Sequence, residues 1–411
     1  MTNKNQHIPS GYKSSPLGII PEDWEVKRLG EIGEVLMCKR IMKYQTDSCG
    51  DIPFFKIGTF GGKPDAFISR KVFDEYKTKY SYPKIGDVLI SAAGTIGRTV
   101  IFNGTPSYYQ DSNIVWIDND NKQVLNKYLY YYYSTINLIT DTGTIPRLYN
   151  GALKAIQIPT PPIEQQTRIV SILELWDTAI SKQTALIEKL NLRKRGLMQQ
   201  LLTGNKRLKG FEGEWKEVRL GKIGVFFKGG GVPKNKIIDA GNKCLTYGDL
   251  YTKYDFVISD VKSYIDDDTA NESVKIRYGD ICFAGSGETK EEIGKCAAFI
   301  DDDYGYAGGD IIVFRANDCN PITLSYILNS GDVIRQKSNM GQGHSVVHIY
   351  PYQLEKLIIK IPSRVEQDAI STILTESDKE IEIQKQKLSD LQEQKRGLMQ
   401  VLLTGKKRIK K

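Results

Sequence analysis

The sequence predicts an α+β protein with two mixed, strand-rich domains joined by two long antiparallel coiled-coil helices, in a pseudo-twofold circular arrangement. Three observations favour this fold: an internal duplication, a heptad pattern in each half, and short β-prone runs between the helices. The duplication is clearest at residues 195–204, which return as 396–405 with one difference, Gln200 against Val401. The offset of 201 residues indicates duplicated domains rather than a solenoid, whose repeats run to about 20–50 residues.

Segments follow one another in the same order in both halves. The run that starts at Trp24 returns at Trp215, Gly86-Asp87 returns as Gly279-Asp280, and Ile158-Pro159 is matched with Ile361-Pro362. The predicted division is 1–160 and 206–362 for the strand-rich domains, 161–205 and 363–405 for the helices, and 406–411 for a basic tail. Because this tail matches the segment that leads into the second domain, we expect the end of the chain to lie near its beginning.

The predicted helices span about residues 163–203 and 365–404. Each starts just after a proline and ends in a basic turn followed by glycine, as helix termini prefer. Apolar residues recur at alternating spacings of three and four, which is a heptad seam. Glutamine and lysine interrupt both seams at matching layers, and such polar layers commonly fix register. The seam positions are Ile169, Leu173, Trp176, Ile180, Gln183, Ile187, Leu190, Lys194, Leu197 and Leu201 in the first helix, and Ile370, Leu374, Ser377, Ile381, Gln384, Leu388, Leu391, Lys395, Leu398 and Leu402 in the second.

Between the helices, short β-prone runs alternate with glycine-containing turns. Strands are predicted at 87–91, 114–117, 281–284 and 311–314, and helices at 127–134 and 322–328. The first of these helices contains a run of tyrosines that could stack on nucleic-acid bases. Packing of the helix against a sheet explains the tyrosines better.

Composition restricts the class of protein. The net charge of +8 suits a polyanionic partner. Six cysteines at irregular spacings predict reduced, buried thiols rather than disulfides or zinc, and the three histidines form no metal-ligand set. The sequence has neither an apolar run of about 20 residues nor a signal-peptide core, so we expect a cytoplasmic protein.

Catalytic motifs are weak. No Walker A loop or strand–GxGxxG–helix unit is present in the sequence. Pro64-Asp65 followed by Glu75-Tyr76-Lys77 does match the spelling of a Mg²⁺-dependent nuclease site, in which two carboxylates hold the metal and a lysine helps to activate water. The match has no counterpart in the second half. An endonuclease that uses Asp65, Glu75 and Lys77 is therefore one alternative function, and a coiled-coil protein adaptor is another.

The ordered set of repeated segments resembles the specificity subunit of type I restriction-modification systems. This resemblance extends over nearly the whole chain. The second copy of the proline motif departs from the pattern, with Ser363-Arg364 in place of tandem prolines, which affects only the start of the helix. The residues that carry the resemblance are Pro161-Pro162-Ile163-Glu164-Gln165-Gln166 and its copy at 361–367, the helix ends 194–204 and 395–405, and the opening segments 24–30 and 215–221.

The resemblance implies two target recognition domains, each of which binds one half of a split, asymmetric site in double-stranded DNA. The helices would act as a ruler between the half-sites and dock two methyltransferase subunits, which carry S-adenosylmethionine. Two restriction subunits, which use ATP and Mg²⁺, would complete the complex. This chain would be a non-catalytic subunit that supplies the DNA address and itself binds no cofactor or metal.

The loops that differ between the halves are the expected DNA contacts. Residues 91–98 and 284–290, for example, occupy matching places but differ in sequence. Polar and charged side chains read base edges, and Lys, Arg and glycine-freed backbone amides hold phosphates. The predicted DNA-binding residues are Lys39, Arg40, Lys43, Thr95, Arg98 and Arg147 in the first domain, and Lys228, Lys234, Lys236, Thr289, Lys290 and His344 in the second.

Overall fold

The computed structural model describes residues 8–136, 147–204, 206–230, 232, 234–343 and 345–409. The chain forms two compact units, one made of Met1–Thr184 with Gln386–Lys411 and the other of Ala185–Lys385. Each long helix therefore begins in one unit and ends in the other. A unit consists of one strand-rich region, the first part of one helix and the last part of the other.

The elements of the first half follow one another along the chain up to the first long helix. They are β1 (Tyr12–Ser15), β2 (Gly18–Pro21), β3 (Glu25–Arg28), α1 (Leu29–Ile32), β4 (Val35–Met37), β5 (Ile52–Phe55), β6 (Phe67–Ile68), α2 (Arg70–Lys79), β7 (Val88–Ser91), β8 (Thr99–Ile101), β9 (Tyr108–Tyr109), β10 (Ile114–Ile117), α3 (Asn126–Tyr133), α4 (Asn150–Ala155), β11 (Gln157–Thr160) and α5 (Ile163–Leu201).

The second half continues in the same manner and ends in the second long helix. Its elements are β12 (Lys216–Arg219), β13 (Gly224–Lys228), β14 (Asn242–Leu245), α6 (Tyr247–Thr252), β15 (Val257–Ile258), β16 (Tyr264–Ile265), α7 (Asp267–Asn271), β17 (Val274–Ile276), β18 (Asp280–Ala284), β19 (Ser286–Gly287), β20 (Cys296–Phe299), β21 (Gly305–Ala307), β22 (Ile311–Ala316), α8 (Pro321–Leu328), α9 (Gly331–Met340), β23 (Val347–His348), α10 (Pro351–Leu354), β24 (Ile358–Ile361) and α11 (Arg364–Leu402).

The two units share one core strand order, to which the second unit adds one edge strand in each sheet, β15 and β17. The first has sheets of order β4-β10-β7-β8 and β6-β5-β9, and the second has sheets of order β13-β22-β18-β20-β15 and β16-β14-β21-β17. In the smaller sheets, β5 runs parallel to β9 and β14 runs parallel to β21. The duplication seen in the sequence is thus also a duplication of strand order and direction.

The central strands are apolar because both of their faces are covered. β7, β10 and β18 are buried along their whole length, and β22 over its first four residues. Short continuous apolar runs are typical of such strands. The four predicted strands are confirmed.

A short antiparallel pair closes each strand-rich region, β3 with β11 and β12 with β24. In this register Ile158 lies opposite Lys27, and Ile359 lies opposite Val218. Lys27 and Val218 occupy matching positions after the two opening tryptophans, so Ile158 corresponds to Ile359. The predicted match of Ile158 with Ile361 is wrong by two positions. It aligned the Ile-Pro pairs of the two halves, and the position of the proline does not follow the strand register.

The tyrosine-rich helix α3 packs in the core of the first unit. Tyr128, Tyr131 and Tyr133 are buried, and the Tyr128 hydroxyl donates to the Pro159 carbonyl at 3.0 Å. The counterpart helix α8 buries Tyr326 completely. Both predicted helices are confirmed, and burial removes these rings from any contact with nucleic-acid bases.

The long helices α5 and α11 each contain 39 residues, which corresponds to about 58 Å of helix at 1.5 Å per residue. Their ends agree with the predicted ends to within two residues. All of the predicted seam positions are buried or half-buried. The heptad prediction is confirmed.

Within each unit the two helix segments run antiparallel. In the first unit, Leu125 at the start of α3 contacts Gln166 of α5, and Tyr131 further along α3 contacts Asp177, further along α5. In the same direction along α3, Tyr128 contacts Leu403, just after the end of α11, and Tyr131 contacts Lys395, earlier in α11. In the second unit, Arg207 pairs with Glu366 and Lys194 pairs with Asp378. The predicted antiparallel pairing is confirmed in both units.

A charged layer crosses the helix pair of the first unit. The Lys395 ammonium pairs with Asp177 and lies 5.1 Å from the centre of the Tyr131 ring. Tyr131 donates to the Asp177 carboxylate at 2.6 Å. Burial and this hydrogen bond raise the pKa of Tyr131, so the phenol stays protonated and acts as the donor.

The same Lys–Asp–Tyr layer recurs in the second unit. Lys194 pairs with Asp378 and lies 5.2 Å from the centre of the Tyr326 ring, and Tyr326 donates to Asp378. Burial and the hydrogen bond to Asp378 raise the pKa of Tyr326. The polar interruptions predicted at the lysine positions are therefore ion pairs that tie both helices to the strand-rich region of their unit.

Residues 405–408 pack against residues 21–24 within the first unit. The Arg408 guanidinium donates to Asp23 at 2.9 Å, and Gly405 lies against Pro21 and Trp24. The closure expected from the basic tail is confirmed at this junction.

All six cysteines are free, as predicted, but only four of them are buried. Cys49 is exposed and Cys319 is half-buried, so the expectation of burial is wrong for these two. Burial raises the pKa of the Cys38 thiol to about 12. Among the helices of the described ranges, none is both long enough and apolar enough to cross a membrane.

Candidate nucleic-acid interface

A crevice opens in the first unit where three connections meet. These are the segment after β4, the segment after β5, and the connection from β9 to β10. Since β5 and β9 are parallel, their carboxyl ends lie at the same sheet edge, where open sheets typically bind ligands. This first crevice has a volume of about 460 Å³ and is lined by Arg40, Ile41, Lys43, Thr46, Phe54, Lys56, Gln110, Asp111, Ser112, Asn113 and Arg147.

The first crevice is cationic. Two of its cations have carboxylate partners, since Arg40 pairs with Asp111 at 2.8 Å and Lys56 pairs with Asp65 at 3.0 Å. Among the described residues, the acceptors of Arg147 are neutral, Ser112 Oγ at 3.3 Å and Asn113 Oδ1 at 3.4 Å. Lys43 has no ion-pair partner among the described residues. Two positive charges are therefore available to an anionic ligand.

Three of the six residues predicted in the first domain, Arg40, Lys43 and Arg147, come together in this crevice although about 100 residues separate them in sequence. The other three do not line it. Lys39 lies over the Tyr80 ring at 5.3 Å, and Arg98 donates to the Phe60 carbonyl at 2.7 Å. Thr95 is exposed on the neighbouring loop, where its carbonyl accepts from Ser91 Oγ.

Sequence reasoning missed Lys56, Gln110, Ser112 and Asn113. Each follows the end of β5 or β9, or lies just before β10. A polar residue directly after a β-prone run is a usable signal. It becomes specific only once two such strands are known to be parallel neighbours.

The second unit has a crevice at the same topological position. It lies where the segments after β13 and β14 meet the connection from β21 to β22, and β14 and β21 are again parallel. This second crevice has a volume of about 840 Å³ and is lined by Lys228, Gly229, Val232, Ile237, Thr246, Tyr247, Gly248, Gly308, Gly309 and Asp310.

The chemistry of the second crevice differs from that of the first. Glycines replace cations, and a Cβ on Gly229 would lie 2.0 Å from the Gly308 carbonyl oxygen, so two backbone segments approach closely there. Lys228 is exposed and has no ion-pair partner within the described ranges, whereas Asp310 adds a carboxylate. The same architecture thus presents two different sets of polar groups.

Of the predicted second-domain residues whose side chains the structure describes, only Lys228 lines this crevice. Lys236 lies 3.7 Å from Asp266, and Thr289 and Lys290 are exposed on the turn after β19. Lys234 belongs to the 3₁₀ helix Lys234–Lys236, but its side chain lies outside the described part of the structure. His344 lies outside the described residues.

His348 occupies the place in the second unit that Arg147 occupies in the first. Leu148 donates its backbone N–H to the Ala92 carbonyl at 2.8 Å, and Ile349 donates to the Gly285 carbonyl at 2.9 Å. The His348 Nδ1 lies 2.9 Å from Ser286 Oγ. Sequence reasoning missed His348, although the offset of 201 that relates the helix ends also relates it to Arg147.

The residues of the alternative nuclease site have separate partners. Asp65 pairs with Lys56 at 3.0 Å, Glu75 pairs with Lys79 at 2.9 Å, and the Lys77 ammonium lies over the Phe73 ring at 5.6 Å. Within the described residues, no group of three or more His, Cys, Asp or Glu side chains is placed to hold a metal ion. This geometry gives the nuclease alternative no support.

Comparison with known proteins gives concordant matches. The sequence model of the type I restriction modification DNA specificity domain matches residues 21–192 and 212–393. A Haemophilus influenzae protein named as a type I restriction enzyme specificity subunit is 61% identical over 166 residues, which cover 40% of this chain and 43% of that protein. The type I restriction enzyme MjaVIII specificity subunit of Methanocaldococcus jannaschii is 26% identical over 410 residues, which cover 95% and 94% of the two chains.

Two solved structures share the fold at 16% sequence identity. The S subunit of a type I restriction-modification system from M. genitalium aligns with a TM-score of 0.55 over 92% of this chain and 96% of its own. A chain from a study of complex assembly and conformational transition of the type I R-M system aligns with a TM-score of 0.58, over 94% and 99%.

Proposed function

The chain belongs to the family of type I restriction-modification DNA specificity proteins, and on this premise we propose that it directs such a complex to a bipartite, asymmetric DNA site. Each unit reads one half-site through its crevice. The observation that carries this proposal is the pair of crevices, which share strand topology but differ in nearly every lining side chain. Two identical readers would favour a symmetric site, whereas two different readers require an asymmetric one.

The side chains of the crevices suit the two tasks of DNA binding. Lys43 and Arg147 can neutralise phosphates, and the amides of Gln110 and Asn113 can read base edges. In the second crevice, Lys228 and the side chains of Thr246 and Tyr247 take over these tasks. We therefore expect the first half-site to contribute more of the salt-dependent affinity.

The helices set the number of unread base pairs and dock two methyltransferase subunits. Support comes from the matched exposed faces at the two helix ends, which carry Arg195 and Gln199 in one copy and Arg396 and Gln400 in the other. Gly196 and Gly397 lie inside the helices, where a Cβ added to either would meet no other described residue within 4 Å. Glycine there costs about 1 kcal/mol relative to alanine, which is explicable if a partner backbone approaches closely.

The chemistry belongs to the partners in this proposal. The methyltransferase subunits carry S-adenosylmethionine, and two restriction subunits use ATP and Mg²⁺. The chain supplies the DNA address in the cytoplasm and binds neither a cofactor nor a metal.

The test starts from the chain assembled with its methyltransferase subunits. Methylation mapping identifies the recognised sequence, and binding to that duplex is then measured over a salt series for Lys43→Gln, Arg147→Gln and Lys228→Gln. Loss of one phosphate contact should reduce the slope of log K against log salt by about 1. Lys122→Gln is the matched control, since Lys122 is 82% exposed but follows the far end of β10.

The expected result is a reduced slope for the crevice variants and an unchanged slope for the control. Absence of sequence-selective binding in the wild-type assembly would overturn the proposed function. Unchanged slopes in all three crevice variants would overturn the assignment of the crevices.

A further inference from the structure

Tyr44 is the most exposed large apolar or aromatic side chain in the described residues, with 84% of its surface accessible. It belongs to the 3₁₀ turn Lys43–Gln45 between β4 and β5. Its neighbours Lys43 and Thr46 line the first crevice. A large aromatic ring therefore stands in water next in sequence to a lysine of the cationic crevice, and it contributes little to the core of its own unit.

The turn that carries Tyr44 is held by hydrogen bonds on both sides. The Met42 N–H donates to Gln45 Oε1 at 2.9 Å, and Gln45 Nε2 donates to the Tyr76 hydroxyl at 3.3 Å. Thr46 Oγ1 donates to the Lys43 carbonyl at 2.9 Å. The backbone is thus ordered while the ring is free, so little backbone entropy is lost when the ring engages a ligand.

The second crevice also presents a tyrosine, but from a different connection. Tyr247 begins α6, lines the crevice and is 44% exposed. The residue before it, Thr246, caps this helix, and Thr246 Oγ1 donates to Asp249 Oδ2 at 2.8 Å. Tyr247 thus lines the second crevice, whereas Tyr44 lies beside residues that line the first; both stand on hydrogen-bonded supports, in non-equivalent segments.

Aromatic rings beside cations fit the nucleic-acid chemistry of stacked bases and flanking phosphates. We propose that Tyr44 is a base-contacting residue that places its ring against the bases of the first half-site, while Lys43 beside it holds the phosphate backbone. Tyr247 does the same at the second half-site. This inference rests on the proposed function and assigns a share of the neutral, salt-independent affinity to one tyrosine in each domain.

The test uses the full chain assembled with its methyltransferase subunits and the duplex identified by methylation mapping. The variants are Tyr44→Ala and Tyr44→Phe, with Tyr278→Ala as the control, because Tyr278 is 61% exposed on a turn before β18 of the other unit. Duplexes carry 2-aminopurine in place of single adenines of the half-sites, and its fluorescence reports stacking. Urea unfolding checks that each variant folds as the wild type does.

Tyr44→Ala should weaken binding about 5- to 100-fold with the salt slope unchanged, since one base–aromatic contact is lost and no charge is removed. Tyr44→Phe and the control should bind within about twofold of the wild type. The fluorescence change at one position of the first half-site should persist in Tyr44→Phe and vanish in Tyr44→Ala.

Two results would overturn the assignment of Tyr44 while leaving the proposed function intact. One is wild-type binding by Tyr44→Ala while Lys43→Gln still reduces the salt slope. The other is failure of Tyr44→Ala to assemble with the methyltransferase, which would make the ring a protein contact. A wild-type assembly without sequence-selective binding would instead overturn the proposed function itself.

Discussion

Replacement of Lys395 by methionine should destabilise the first unit by about 1.5–2 kcal/mol. The lysine side chain is 17% exposed and its partner Asp177 is 44% exposed. Water therefore screens the pair, which is worth roughly 1 kcal/mol rather than the roughly 3–5 kcal/mol lost when a fully buried pair is broken. Loss of the cation from the Tyr131 ring adds roughly 0.5–1 kcal/mol. Methionine retains the apolar stem, so the change reports mainly on the charge.

Intrinsic fluorescence in urea is a suitable assay for this unit. Three of the four tryptophans, Trp24, Trp116 and Trp176, belong to it. A chain with two units need not unfold in a single transition. The fluorescence transition, which reports mainly on the first unit, is therefore fitted separately from the circular dichroism transition, which reports on the whole chain. Lys387→Met is the control, because Lys387 is exposed on the same helix segment.

A double-mutant cycle of Lys395→Met with Asp177→Asn isolates the interaction. We expect a coupling energy of about 1 kcal/mol, close to the value of the screened pair. Additivity within about 0.3 kcal/mol would refute the reasoning, because Lys395 and Asp177 would then stabilise the unit independently. An equally large loss of unfolding free energy in Lys387→Met would show that removal of any charge from this helix has the same effect.

The other predictions concern a cap, three glycines and helix length. Burial raises the pKa of Asp249, but hydrogen bonds from Lys253 and Thr246 outweigh it and lower the pKa below 3.8. Its stabilising contribution is therefore present above about pH 4 and lost as the pH falls through the lowered value, so Asp249→Asn should remove this part of the acid dependence in urea unfolding. Gly405→Ala should destabilise the protein by about 2 kcal/mol or more, since φ is +73° and the new Cβ would lie 2.5 Å from Pro21 Cδ. Gly204→Ala, whose new Cβ would have its nearest contact at 3.3 Å, should destabilise it by about 1 kcal/mol. Equal urea midpoints for the two variants would contradict this order. Gly196→Ala should stabilise the helix by about 0.5–1 kcal/mol yet weaken assembly with the methyltransferase in sedimentation, and full assembly would count against close backbone approach. One heptad added to the middle of α5 should change the number of unread base pairs in a methylation map, and an unchanged spacer would rule out the ruler.

Features with a local period could be predicted well. Both long helices, their seams and the duplicated order of segments can be read from spacing alone, since a heptad is visible in any short window. The buried strands β7 and β10 were predicted for the same reason, as continuous apolar runs. The predicted match of Ile158 with Ile361 is wrong because strand register depends on hydrogen bonds to a strand that is distant in sequence.

The candidate site could be predicted only in part. Arg40, Lys43 and Arg147 were chosen as polar residues in divergent loops, and the fold brings them to one crevice. Lys39 and Arg98 met the same criterion but are engaged by Tyr80 and Phe60. The type of a residue and its place in a loop do not determine which way its side chain points.

The sequence by itself determined the duplication, the antiparallel helices and the family, because repeats and heptads are visible when segments of the chain are compared residue by residue. Only the tertiary structure decided which loop residues share a crevice, since that depends on β5 lying parallel to β9 and β14 lying parallel to β21. It also decided that Tyr44 stands in solvent. Pairing between strands some 50 residues apart leaves no periodic trace in the chain, so the physical basis of DNA recognition emerges only when the sheets have formed.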